Sequence, residues 1–178
     1  MDILLEIDKL IDQSNNHNQI LKILKLLKSK NKELTDYSGF GYCGYGSKIL
    51  SLELNNNSIS NSILIGTYLN NTPEGIKCKN HVHKLISTFP DNEDNIFSDI
   101  KKRFTNRGNK LPDRTGHVVV LVNDTIYDIT SEQFGLPTVY SLDLFKSIWK
   151  SIKIADLTID KNIYFYIKGN IKTIKTIQ

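Results

Sequence analysis

The sequence is poor in cysteine, proline and arginine, and each shortage excludes a class of protein. With 2 cysteines and 4 prolines among 178 residues, the chain is neither a disulfide scaffold nor a Pro-rich, low-complexity protein. The basic residues are almost all lysines scattered along the chain, and the few arginines suited to bidentate phosphate contacts are Arg103, Arg107 and Arg114. Despite a net charge of +4, we therefore expect no specific nucleic-acid binding.

Long apolar runs are also missing. No segment approaches the roughly 20 apolar residues that cross a bilayer, and residues 1–6 lack the basic and apolar regions of a signal peptide. We expect no membrane association and a cytoplasmic protein in which Cys43 and Cys78 are free thiols. The heavy use of Asn, Ile and Lys is typical of AT-rich genomes such as those of many viruses. If the chain is virus-encoded, its compartment is the host cytoplasm or the virion.

Isoleucine and leucine are abundant, and their spacing predicts two helices at the start of the chain. Apolar residues recur at helical intervals over 2–12 and again over 20–27. The polar segment 14–18 between them has the composition of a turn. We therefore predict a pair of amphipathic helices within residues 1–30.

Further along, the chain alternates helix and strand signals. A Gly-rich turn over 37–47 leads into a short helix near Cys43, and the segment 70–75 has the composition of a loop. The strongest strand signal is a hairpin over 116–130. The other predicted elements are a strand over 63–69, helices over 92–107 and 142–149, and closing strands over 163–167 and 171–177.

The register of the hairpin can be predicted from its turn. If Asn123 and Asp124 form a two-residue loop, side chains at 117 and 119 share a face with those at 126 and 128. His117 and Asp128 then lie diagonally on one face, roughly 7 Å apart at the backbone, which suits an imidazole reaching a carboxylate. A slip of one residue on one strand would separate the two side chains.

Cys43 is predicted to stand at the first turn of a helix, where unpaired N–H groups and the helix dipole stabilise a thiolate. Gly41, Gly44 and Gly46 leave space around the sulfur, and the backbone N–H groups there are candidates to bind an oxyanion. With His117 as base and Asp128 orienting that base, the chain carries the three roles of nucleophilic thiol catalysis.

Each of these residues also has an ordinary structural interpretation. Cys43 would then be a small residue packed at a Gly-rich turn. His117 would be a strand-end residue, and Asp128 would cap the turn that follows the strand. The order Cys, His, Asp, together with the predicted register, favours the catalytic interpretation over these three separate explanations.

A second cluster, Cys78, His81 and His83, has the residue types of a transition-metal site. Three potential ligands without a second spaced pair are weak evidence, and the segment has equally the composition of a loop that leads into Val82 and Leu85. We therefore predict no metal site and no cofactor.

The segments 116–122 and 127–135 resemble the His strand and the Asp strand of papain-like and transglutaminase-like cysteine enzymes. The run Asp128-Ile129-Thr130 followed by Gln133-Phe134-Gly135 is similar to one in small bacterial and phage members of that superfamily. The resemblance implies an α+β fold in which N-terminal helices and a Cys-bearing helix pack on an antiparallel sheet, built here from the hairpin and the C-terminal strands. We expect one domain, with boundaries 1–178 for the whole, 1–30 for the helical pair and 37–178 for the catalytic core.

The resemblance implies a cysteine-dependent hydrolase that cleaves peptide or amide bonds through Cys43, His117 and Asp128 and a thioester intermediate. Two alternatives stay open: a protein-glutamine deamidase or transglutaminase using the same trio, and a non-catalytic viral or virion-associated binding protein that keeps the fold. The expected partner is a peptide, protein or amide substrate. Papain has a Gln shortly before its nucleophile, but residues 37–42 contain none, so the oxyanion donor is unassigned and Gln133 is expected to be structural or to contact substrate.

Overall fold

The structure is a computed structural model that describes residues 3–92, 94–112, 115–155, 163–167 and 170–174. These residues form five α-helices: α1 (Ile3–Lys30), α2 (Cys43–Asn56), α3 (Pro73–Ser87), α4 (Ile96–Asn106) and α5 (Leu142–Ile148). They also form seven strands: β1 (Ser62–Leu69), β2 (Gly116–Val122), β3 (Thr125–Tyr127), β4 (Val139–Ser141), β5 (Trp149–Ala155), β6 (Ile163–Ile167) and β7 (Asn170–Ile174). The predicted α+β class is confirmed.

Five strands form one antiparallel sheet in the order β4-β3-β2-β1-β5. The predicted C-terminal strands exist as β6 and β7, but they pair with each other in a separate ladder. The expectation that they complete the main sheet is therefore wrong among the described residues. The places beside the hairpin are taken by β1 and β4, and β5 forms the far edge next to β1.

The hairpin has the predicted register. Val122 pairs with Thr125 and Val120 with Tyr127, so the loop consists of Asn123 and Asp124. Asn123 has a φ of 54°, in the left-handed region, which asparagine tolerates better than most residues. The strand alternation therefore sends His117 and Val119 to one face of the sheet.

The two faces of the sheet are covered by different helices, because side chains of successive strand residues alternate between them. On one face Val120 packs with Leu24 of α1 and Leu50 of α2. On the other face Val119 packs with Val82 of α3 and with side chains of α4 and α5. Packing of the N-terminal and Cys-bearing helices against the sheet is confirmed.

Residues 1–30 do not form the predicted helical pair. Helix α1 runs without interruption from Ile3 to Lys30, and the polar segment 14–18 lies inside it. That segment contains no Gly or Pro, and Asn and Ser within a helix cost only a few tenths of a kcal/mol each. Tertiary contacts also hold it, since His17 Nδ1 is hydrogen-bonded to the Tyr127 hydroxyl at 2.8 Å.

Helix α3 was not predicted, and the predicted loop over 70–75 already contains its first turn. Thr72 caps the helix by accepting a hydrogen bond from the Gly75 N–H, and Pro73 occupies the first helical position. Both residue types are typical of helix starts. The predicted helices over 92–107 and 142–149 are present as α4 and α5, capped by Asn95 and Ser141.

None of the described helices combines the length and the apolar character that crossing a bilayer requires.

Candidate active site

Cys43 is the first residue of α2, as predicted, and its side chain is partly exposed. The Gly46 N–H donates to the Tyr42 carbonyl at 2.8 Å and closes the first helical turn. The N–H groups of Cys43 and Gly44 precede that bond, so the helix itself offers them no acceptor. The side chain of Tyr42, at the cap position, makes no capping hydrogen bond. Cys43 therefore lies beside backbone donors at the positive end of a helix dipole.

Two of the three glycines near Cys43 leave open space, as predicted. A Cβ at Gly41 or Gly44 would meet no atom within 4 Å. The prediction for Gly46 is wrong, because a Cβ there would lie 2.4 Å from Ile129 and 2.9 Å from Leu34. Gly46 thus permits close packing of α2 on the chain that follows Asp128, and it does not clear space at the sulfur.

His117 and Asp128 form a buried pair. The Nε2–H of His117 donates to Oδ2 of Asp128 at 2.6 Å, and both side chains are fully inaccessible to solvent. His117 lies near the start of β2, and Asp128 directly follows β3. The period-2 alternation of the hairpin brings the two side chains to the same face, as the sequence predicted.

The Asp128 carboxylate is also held by two other residues. The Thr130 N–H donates to its Oδ1 at 3.1 Å, and the Tyr140 hydroxyl donates to its Oδ2 at 2.9 Å. The aspartate therefore caps the turn that follows β3 and accepts from His117 at the same time. Hydrogen bonds to the charged form stabilise a carboxylate, so this set of donors keeps Asp128 ready to orient an imidazolium.

Aromatic side chains enclose the His117 ring. Its centroid lies 4.5 Å from that of Phe134 and 5.4 Å from that of Trp149. Trp149 reaches this place because it crosses Gly66, where a Cβ would lie 2.5 Å from the indole. Water is thus kept from the His117–Asp128 pair, which strengthens the electrostatic interaction between them.

The second ring nitrogen of His117, Nδ1, is not used by Asp128, which bonds to Nε2. Among the described residues, Nδ1 has no hydrogen-bond partner of ordinary geometry. The Cys43 side chain nevertheless interacts closely enough to raise the pKa of His117, through hydrogen bonding and charge. We interpret the contact as a close approach that is not fully aligned, which is common in catalytic sites without substrate.

The protonation of His117 results from opposing effects. Burial lowers its pKa, but the Asp128 charge, the Asp128 hydrogen bond and the Cys43 side chain together raise the pKa to about 10. His117 is therefore an imidazolium at neutral pH, with one N–H directed to Asp128 and the other available to Cys43. Tyr140 stays protonated as well, because burial and the Asp128 charge raise its pKa well above 10.

A cavity of about 470 Å³ opens beside Cys43. Gly41, Tyr42 and Cys43 line one side of it, and Gly116, the neighbour of His117, lines another. The remaining walls come from α3, from α4 and from the connection between α4 and β2. The cavity thus lies between the start of α2 and helices α3 and α4. A volume of this size is typical of sites that enclose a small ligand or part of a larger one.

Cys78, His81 and His83 do not converge. Cys78 is buried in the core, and His81 lies against Gly135. The His83 ring packs edge-on against Phe104 at 4.9 Å. No group of three or more His, Cys, Asp or Glu suited to a metal occurs within the described ranges. Burial, with the charges of Asp128 and Glu74, raises the pKa of Cys78 to about 11, so this thiol is unreactive at neutral pH.

Gln133 has a structural role. Its Nε2 donates to the Thr130 carbonyl at 3.1 Å and to the Thr130 hydroxyl at 3.0 Å. Both amide hydrogens are therefore used to hold the turn next to Asp128. Gln133 also lines the cavity, but no amide hydrogen is left to serve as an oxyanion donor.

Tyr140, Trp149 and Gly66 were missed by sequence reasoning. Tyr140 lies 12 residues after Asp128 on a different strand, and Trp149 lies 32 residues after His117. No local pattern connects such residues to the site. The α3 wall could have been found, since Thr72-Pro73 is a helix-start signal in the sequence itself.

Comparison with protein-family models, with curated proteins and with solved structures found no match for this chain.

Proposed function

We propose that the chain is a cysteine-dependent hydrolase that cleaves peptide or amide bonds, with Cys43 as nucleophile, His117 as acid and base, and Asp128 as the group that orients His117. The observation that carries the proposal is the fully buried His117, which donates from Nε2 to Asp128 at 2.6 Å, leaves Nδ1 without a hydrogen-bond partner among the described residues, and interacts with the partly exposed Cys43. The order of the three residues and the α+β architecture also agree with the papain-like resemblance.

The resting site would hold a Cys43 thiolate and a His117 imidazolium. The thiolate attacks the carbonyl carbon of a bound amide and forms a tetrahedral oxyanion. As the carbon–nitrogen bond breaks, the leaving nitrogen takes the proton from Nδ1 of His117, and a thioester remains on Cys43.

Hydrolysis of the thioester uses His117 in the opposite direction. The neutral imidazole removes a proton from water, and the hydroxide attacks the thioester carbon. The carbon–sulfur bond then breaks, the acid product leaves, and the thiolate–imidazolium pair is restored. Asp128 accepts the hydrogen bond from Nε2 throughout and stabilises each imidazolium state.

The backbone N–H groups of Cys43 and Gly44 are the best candidates to bind the oxyanion. They lie at the helix start, have no acceptor within α2, and adjoin open space at Gly44. No side-chain donor is needed in this arrangement, which agrees with the lack of a Gln before Cys43.

The test is the rate of alkylation by iodoacetamide at pH about 7. A free cysteine is only a few per cent thiolate there, so an ionised thiol reacts up to about 30-fold faster. We expect Cys43 to label at least about tenfold faster than glutathione, with Cys78 as the unreactive internal control. His117→Ala should reduce the Cys43 rate to that of glutathione. Labelling of wild-type Cys43 no faster than glutathione would rule out this function.

A further inference from the structure

The cavity beside Cys43 has an apolar floor. One face of α4 supplies Ile96, Phe97, Ile100 and Phe104, at the spacing of neighbouring turns. Helix α3, the segment after α4 and the turn after β3 complete the floor with Val82, Ile86, Leu111, Pro112 and Phe134. Such a surface binds a bulky apolar group, since burial of apolar area is favourable.

Among the described residues, the charged side chains on the walls of this cavity are all basic. Arg103 lies in the last turn of α4, Arg107 is the C-cap residue of that helix, and Lys110 follows on the connection to β2. Those lining residues that the structure describes include no Asp or Glu. Within the described part of the chain, no hydrogen bond or ion pair engages these three side chains. From Phe97 to Asn106 the helix rises about 14 Å, so the basic groups lie at one end of an elongated wall.

Basic side chains continue beyond this wall. A second cavity of about 580 Å³ shares Lys110, Leu111, Pro112 and Thr115 with the first. It is also lined by Lys79 and Lys150, and no Asp or Glu occurs among the lining residues within the described ranges. The charged side chains that the structure describes next to Cys43 thus have one sign across two adjoining cavities. Clefts of this kind concentrate ligands of the opposite charge.

We propose that the substrate is an acidic polypeptide segment, in which a bulky apolar side chain near the scissile carbonyl fills the apolar floor and Asp or Glu side chains nearby meet the basic wall. This inference rests on the proposed function, since a cysteine nucleophile requires an acyl carbon, which a nucleic acid does not offer. Arg103 and Arg107 suit carboxylates, which guanidinium groups bind in bidentate geometry. The extent of the basic surface favours an extended chain over a small molecule.

The first test compares two alkylating probes that differ in charge, iodoacetate and iodoacetamide. The ratio of their rates at Cys43, divided by the same ratio for glutathione, reports anion enrichment at the sulfur. We expect this normalised ratio to be about tenfold higher in the wild type than in an Arg103→Gln/Arg107→Gln/Lys110→Gln variant. It should also fall with added salt.

Lys84→Gln is the matched control. It removes one positive charge from an exposed position on α3 that lines neither cavity, so the probe ratio should stay at the wild-type value. Fast iodoacetamide labelling with a ratio that is the same in the triple variant and the wild type would overturn the inference and leave the proposed function intact. Slow labelling of Cys43 by both probes would instead refute the proposed function.

The second test measures binding without turnover, using Cys43→Ala. Fluorescence anisotropy measures the affinity for octapeptides that have a central Leu flanked by Glu. The comparison peptides have Gln or Lys in place of every Glu. We expect the Glu peptide to bind at least about tenfold more tightly than the Gln peptide, and the triple variant to abolish this preference. Equal binding of the Glu and Gln peptides would overturn the inference. Tighter binding of an RNA oligomer with the same charge than of the Glu peptide would overturn it too.

Discussion

Asp128→Asn is the substitution that most directly tests how the site operates. The aspartate is fully buried and accepts from His117, Thr130 and Tyr140. Asparagine has nearly the same size but carries no charge and only one acceptor oxygen. If that oxygen keeps the Thr130 N–H, the amide NH2 faces the N–H of His117 and the hydroxyl of Tyr140. His117 must then lose its Nε2 proton, which leaves the neutral tautomer with hydrogen on Nδ1, toward Cys43.

The expected effects follow from this loss. Breaking a buried ion pair by removing one charge costs about 3–5 kcal/mol, and the isosteric amide should place the loss near about 3 kcal/mol. Without the Asp128 charge and hydrogen bond, the pKa of His117 should fall well below about 10, because burial lowers it and only Cys43 still raises it. Alkylation of Cys43 should fall to the rate of a free thiol, and any amide hydrolysis should fall by about 10³–10⁴-fold.

Three assays read these effects separately. Urea unfolding measures the stability loss, NMR titration of the His117 ring measures its protonation, and iodoacetamide labelling measures Cys43 reactivity. The control is Asp124→Asn, which removes the same charge from the exposed turn of the same hairpin and should leave all three unchanged. Our reasoning would be refuted if Asp128→Asn kept His117 protonated at pH about 8 and Cys43 labelled at the wild-type rate.

Three further predictions concern the surroundings of the pair. The pKa of His117 rises from 6.5 in the unfolded chain to about 10 on folding. Protonated His117 therefore stabilises the fold fully below pH 6.5, and this contribution is lost as pH rises toward 10. In urea titrations, the difference in unfolding free energy between wild type and His117→Gln should narrow over this interval. Tyr140→Phe removes one hydrogen-bond donor to Asp128, so it should lower the unfolding free energy by about 1.5–3 kcal/mol and slow the alkylation of Cys43. An unchanged midpoint of urea unfolding would contradict the assigned hydrogen bond. Gly66→Ala should displace Trp149 from beside His117 and cost at least about 1–3 kcal/mol; unaltered Trp149 fluorescence and stability would show that the indole does not need this close approach.

The local elements of the site were predictable because short-range rules fix them. A two-residue turn and alternation with period 2 were enough to place His117 and Asp128 on one face, and that register is observed. Likewise, the Gly-rich segment predicted a helix start at Cys43, and the helix begins there. The errors arose where local signals were weak or were not used. The segment 14–18 is helical despite its composition, and Thr72-Pro73 starts a helix within a predicted loop.

The sequence by itself determined the hairpin register, the start of the Cys43 helix and the α+β class, because each depends on neighbours a few residues apart. Only the tertiary structure decided that Cys43 approaches His117, 74 residues further along the chain. It alone also decided that the Tyr140 hydroxyl is one of the hydrogen-bond donors to Asp128. It also decided that Gly46 allows helix packing and that α4 supplies a basic wall to the cavity. Such contacts depend on how helices pack across both faces of a sheet, which no short-range pattern in the chain specifies.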